Sequence, residues 1–112
     1  MSMAWRRQYC VEVFVPMKSG DGQPLSRKDL EQLKSMLADR FGGVTAYTRA
    51  PAEGLWEQGG SVDRDDIVVL EVMVDGLDTP AWAKIQQELQ SSLKQDEIIV
   101  RARKIERLMR PA

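Results

Sequence analysis

Apolar side chains recur along this chain with two different periods. Leu30, Leu33, Leu37 and Phe41 stand at i, i+3, i+7 and i+11, and Trp82, Ile85, Leu89 and Leu93 repeat the same spacing. That period gathers each set on one face of an amphipathic α-helix. Elsewhere the pattern changes to that of strands. Tyr9 to Val15, Tyr-Cys-Val-Glu-Val-Phe-Val, is rich in β-branched and aromatic residues, and Ile67 to Val74 is apolar throughout except for Glu71. The first predicts a strand and the second a central strand. Val44 to Arg49 and Ile98 to Leu108 interleave apolar with polar or charged residues, which predicts edge strands. The chain therefore reads as strand-helix-strand written twice.

Boundary residues agree with this division. Pro16 withdraws a backbone donor where the first strand should stop, and residues 18–24, Lys-Ser-Gly-Asp-Gly-Gln-Pro, predict a surface turn. Ser26 is placed as an N-cap, with Asp29 at the capping-box position and Leu25 set to staple onto Leu30. Gly42-Gly43 ends the first helix, since glycine adopts the left-handed C-terminal conformation cheaply. For the second helix Thr79 is the expected N-cap, Pro80 the first helical residue and Asp78 a favourable charge at the dipole's positive end, with the helix running to about Gln95.

Right-handed crossovers place the first and third strands together at the centre and, read locally, run them parallel, with the second and fourth strands flanking. The β-α-β-β-α-β order resembles the ferredoxin-like superfold, and more narrowly the small bacterial proteins, many uncharacterised, of the dimeric α/β-barrel type. That resemblance implies an α+β sandwich: a four-stranded antiparallel sheet, order fourth-first-third-second, with two helices on one face. A single domain over residues 1–112 is expected.

Two helices cover only one side of such a sheet. With Val11, Val13 and Val15 facing the helices, Cys10, Glu12 and Phe14 point away; with Val68, Leu70, Val72 and Val74 facing the helices, Ile67, Val69, Glu71 and Met73 point away. Phe14, Ile67, Val69 and Met73 make an apolar patch that predicts a homodimer interface. The alternative is a monomer in which the N-terminal residues, including Trp5, or the long loop fold back over the sheet. Glu12 and Glu71 share this face, and Arg101, Arg103, Tyr47 and Arg49 can have the same parity. Paired carboxylates raise one another's pKa and supply a general acid or base, while arginines orient an anionic substrate. The same residues also make an ordinary salt-bridge network inside a dimer seam.

Residues 50–65 connect the second and third strands, far more chain than a hairpin needs. Leu55 and Trp56 lie between glycines there, and burying the tryptophan predicts an arm gripping a second subunit or a short extension of the hairpin, ahead of a lid. Asp63, Asp65 and Asp66 lack the spacing of a calcium loop, so no metal is expected.

Composition narrows the chemistry. Sixteen basic and seventeen acidic residues leave a net charge of −1, which gives no general attraction to nucleic acid or membrane. The arginines near the N-terminus precede too short an apolar run for a secretory signal, and one cysteine cannot form an internal disulfide, so a cytoplasmic protein is expected. The absence of histidine excludes imidazole bases, Ser-His and Cys-His nucleophiles and nearly all catalytic zinc sites. RNA-recognition domains of this topology stack bases on aromatic residues of the third strand, which here has none; metallochaperones carry paired cysteines, and Cys10 is alone. The turn at Ser19 to Gly22 faintly resembles a ligand cradle. The preferred expectation is a homodimeric binding or interaction module with no cofactor. The alternative is a dimeric-barrel enzyme with Glu12 or Glu71 as general base and Arg101 or Arg103 anchoring a small anionic metabolite.

Overall fold

The chain runs β1 (Ala4–Pro16), α1 (Arg27–Phe41), β2 (Thr45–Arg49), β3 (Glu57–Gln58), β4 (Ser61–Val62), β5 (Ile67–Val74), α2 (Thr79–Ser92) and β6 (Val100–Met109) in the computed structural model, which describes residues 2–49, 57–58, 61–62 and 67–110. The four longer strands form one sheet in the order β2-β5-β1-β6, the expected order read from its opposite edge. Every neighbouring pair is antiparallel, including the central β1 and β5. This corrects the parallel pairing read from the crossovers. Each crossover does relate two parallel strands, β1 to β2 and β5 to β6, but one slot stays open between them. The other unit's central strand fills that slot in the opposite direction.

The inner row of the sheet, Val11, Val13, Val15, Val68, Leu70 and Val72, is buried together with Leu37 of α1 and Trp82, Ile85 and Leu89 of α2. Each of these side chains contributes about 1.5–3 kcal/mol by leaving water. Phe41, the last residue of α1, stacks on Trp82 in the first turn of α2, with ring centroids 4.5 Å apart and planes 8° from parallel. Both helices thus sit on one face, as the spacing of their apolar stripes requires.

Caps and turns set the element ends. Ser26 accepts a hydrogen bond from the Asp29 amide at 3.0 Å, and Gly42 closes α1 at φ 83°, a left-handed conformation that favours glycine. Asp78, not Thr79, caps α2, accepting from the Ala81 amide at 3.2 Å. Helix α2 ends at Ser92, earlier than expected, because the turn after β1 docks on its C-terminus. The Gly20 amide donates to the Leu93 carbonyl at 2.8 Å, Lys94 Nζ meets Asp21 at 2.8 Å, and Gln95 Nε2 donates to the Lys18 carbonyl at 3.0 Å. The residues read as a faint ligand cradle are engaged in these contacts.

Strand β1 begins at Ala4, five residues before the expected start, and its first part pairs with the end of β6 beyond the last residue of β5. Trp5 lies opposite Leu108 in that extension and is 66% exposed, so the N-terminal residues do not fold back over the sheet. Within the 50–65 connection, β3 and β4 pair as a short ribbon, Glu57 opposite Val62 and Gln58 opposite Ser61. Trp56 lies outside the described residues. Among the described residues no helix is long and apolar enough to cross a membrane.

Candidate functional site

Strand register assembles the outer face rung by rung. Thr45, Glu71, Glu12 and Arg101 lie side by side across β2, β5, β1 and β6; Met73, Cys10 and Arg103 form the next rung, and Tyr47, Val69 and Phe14 the rung on the other side. The two glutamates therefore face each other directly on the central strands. Like charges so placed repel, a cost that neither helix packing nor strand formation requires.

Each carboxylate has an arginine of β6 beside it. Arg101 Nε donates to Glu12 Oε1 at 3.2 Å, and the Glu12 side chain is only 8% exposed. The same guanidinium lies over the Phe14 ring, 4.7 Å from its centroid, a cation–π contact. Arg103 reaches Glu71 more loosely, Nη2 to Oε2 at 4.0 Å. Cys10 is buried between them, and burial first, then the neighbouring Glu71 carboxylate, push its thiol above the ordinary cysteine value against the opposing pull of Arg103. The thiol stays protonated at neutral pH and is no nucleophile.

The expected patch is smaller than the sequence suggests. Val69 is buried within the single chain, Phe14 and Ile67 are half-buried, and Met73 is exposed. Tyr47 is exposed on the edge strand, and Arg49 pairs in register with Ile67. The face thus brings together Glu12, Glu71, Arg101, Arg103, Tyr47 and Phe14.

Beside Glu71 a cavity of about 310 Å³ opens past the start of β2. Gly42, Gly43 and Thr45 wall it together with Met73, Arg107 and Phe41. It forms because β2 starts opposite Glu71, leaving the edge of β5 beyond that point without a neighbour. A Cβ built on Gly43 would meet nothing within 4 Å, and its backbone is not left-handed, so the fold does not demand glycine there. Glycine at this position leaves that wall of the cavity without a side chain. Nothing in the sequence marks Gly43, Thr45 and Arg107 as neighbours, since a glycine pair after a helix is explained as its stop and the other two residues lie on separate edge strands. Glu71 lines this cavity, whereas Glu12 is turned toward Arg101. Among the described residues no three Asp, Glu or Cys side chains converge as a metal site.

No family model and no curated protein matches this chain. Among solved structures it is similar to a phage SAM lyase in complex with S-methyl-5'-thioadenosine, with a TM-score of 0.58 and 14% identity over 91% of this chain and 90% of that one. The likeness is one of fold: an antiparallel sheet with two helices.

Proposed function

We propose that this chain is a small cytoplasmic protein of ferredoxin-like fold that pairs with a second copy through the outer face of its sheet and binds a small polar metabolite beside Glu71. The observation that carries this reading is the pair of scarcely exposed carboxylates, Glu12 and Glu71, opposed on the helix-free face and each attended by an arginine. Two carboxylates set directly opposite each other on central strands repel, and such a local violation of sheet chemistry is expected at a binding site. Arginines offer forked donors to an anionic group, the carboxylates accept from hydroxyls or an ammonium, and the Phe14 and Tyr47 rings give flat surfaces for a planar one.

A second reading is favoured by the likeness of fold to a small lyase and by the opening of Glu71 onto a cavity. Here the chain is an enzyme: Glu71, or Glu12 beyond it, takes a proton from the substrate while Arg101 or Arg103 holds its anionic group. S-methyl-5'-thioadenosine and SAM are the first probes for both readings. Thermal-shift and calorimetric titrations with S-methyl-5'-thioadenosine and a panel of anionic metabolites should show saturable stabilisation that Glu71→Gln removes. Disappearance of SAM, followed chromatographically and absent in Glu71→Gln, would select the enzyme reading. A chain that binds no member of the panel and sediments as a monomer at micromolar concentration would overturn the proposal.

A further inference from the structure

Strands β1 and β6 outrun the rest of the sheet. Strand β5 ends at Val74, opposite Tyr9, whereas β1 and β6 stay paired for five further rungs, as far as Ala4 opposite Met109. The result is a two-stranded ribbon in which residues 4–7 and 106–108 are exposed. A two-stranded ribbon gains little stability of its own, so packing does not account for its length.

The side chains are sorted along the ribbon. Its two outermost rungs are apolar, Ala4 with Met109 and Trp5 with Leu108, and Met3 just beyond them is exposed as well. Behind them come Arg6 opposite Arg107 and then Arg7 opposite Glu106, with Lys104 two rungs further in and Arg110 flanking the end. Five basic residues therefore stand here against two acidic ones, Glu106 and the Asp75 that meets Arg6 at 2.6 Å. The chain as a whole carries a net charge of −1, so its near-neutral total conceals a basic end on an acidic remainder. Two arginines directly opposite each other repel, and an anionic surface relieves that repulsion.

We infer that the end of the ribbon docks on an anionic lipid surface, with Trp5 and Leu108 entering the headgroup region and the arginines behind them meeting lipid phosphates. Successive rungs are about 3.4 Å apart, which sets the Arg6 and Arg7 rungs about 3–7 Å behind Trp5. Interfacial anchors enter by about 5–10 Å, and tryptophan is a characteristic residue at that depth. Water still reaches the free backbone edges of the ribbon there, whereas the hydrocarbon core would leave them unsatisfied, so the ribbon docks and does not span. A nucleic acid would use the arginines and the Trp5 ring but give Met3 and Leu108 nothing to do. The inference rests neither on self-association nor on the cavity beside Glu71.

Vesicles of phosphatidylcholine and phosphatidylglycerol in equal parts are the probe, compared with phosphatidylcholine alone at physiological ionic strength. The full chain should cosediment saturably with the mixed vesicles and roughly tenfold or more weakly with the neutral ones. Its tryptophan emission should shift to the blue on binding, a shift missing in Trp5→Phe. Trp5→Ala should weaken binding roughly tenfold or more, and Arg7→Gln combined with Arg110→Gln roughly thirtyfold. Glu106→Lys should tighten it, a gain that does not depend on the loss variants folding. Equal binding to the two kinds of vesicle, no binding to either, or Trp5→Ala binding like wild type would overturn the inference. So would tighter binding to a single-stranded oligonucleotide than to the mixed vesicles.

Discussion

Arg101→Ala tests whether the outer-face charges form a coupled set. The wild-type guanidinium donates to Glu12, whose side chain is 8% exposed, and covers Phe14. A hydrogen bond to a charged partner contributes about 1.5–3 kcal/mol, and the lower part of that range applies because the Arg101 side chain is 56% exposed and screened by water. The cation–π contact adds about 0.5–1 kcal/mol. Truncation also leaves Glu12 opposite Glu71 without its partner. The expected loss is about 2–3 kcal/mol, a fall of roughly 6–15 °C in Tm for a chain of this size. Circular dichroism melts at pH 7 of wild type, Arg101→Ala, Glu12→Gln and the double variant give the coupling directly, and about 1–2 kcal/mol should disappear when Arg101 is removed in the Glu12→Gln background. A Tm within 2 °C of wild type for Arg101→Ala, or additive losses in the double variant, would refute the reasoning.

Other consequences are separable from that network. Gly20→Ala would drive a Cβ into the Lys94 carbonyl oxygen, so the turn must withdraw and lose its hydrogen bond to Leu93; a loss of about 2–4 kcal/mol in urea unfolding is expected. Gly43→Ala, with open space around it, should leave stability unchanged or raise it by about 0.4–1 kcal/mol, while titration with S-methyl-5'-thioadenosine weakens as the Glu71 cavity narrows. Because the Cys10 pKa is raised in the folded chain, its contribution is fully present below the unfolded cysteine value and is lost as pH rises through the folded one; melts of wild type should fall relative to Cys10→Ala above about pH 9. Asp21 behaves oppositely: the Lys94 ammonium and the Ser19 hydroxyl lower its carboxyl pKa, so the difference between wild type and Asp21→Asn should be present above about pH 4 and fade in stronger acid.

Much of the fold could be read from residues that act locally. Ser26, Gly42 and the continuous apolar run of β5 predict their elements because capping, positive φ and burial on both faces are properties of a few neighbouring residues. The start of β1 was hidden, since Trp5-Arg6-Arg7-Gln8 is too polar to read as a strand and extends only because the far end of β6 pairs with it. Asp78 and Thr79 are both capping types, and only the geometry at the Ala81 amide separates them. The direction of the central pair depends on how the two crossovers interlock, which no local pattern records.

The site was legible as a face and not as an arrangement. Strand alternation alone puts Glu12, Glu71, Arg101 and Arg103 on one side, provided no bulge intervenes, and none shifts the register. Which arginine meets which carboxylate depends on register across four strands. The burial of Val69 between Tyr47 and Phe14 likewise needs all three strands in place. The cavity beside Glu71 arises from where β2 begins. These are tertiary consequences that a hydrophobic period cannot carry.

The central claim is that a second copy covers the outer face of the sheet. Sedimentation equilibrium at micromolar concentration tests it most directly, comparing wild type with Met73→Lys, which places a charge at an exposed position of that face without filling the core as a change at buried Val69 would. The account predicts twice the chain mass of 12.7 kDa for wild type and a single chain mass for a still-folded Met73→Lys. A wild type that sediments as one chain, or a dimer that Met73→Lys leaves intact, would contradict it.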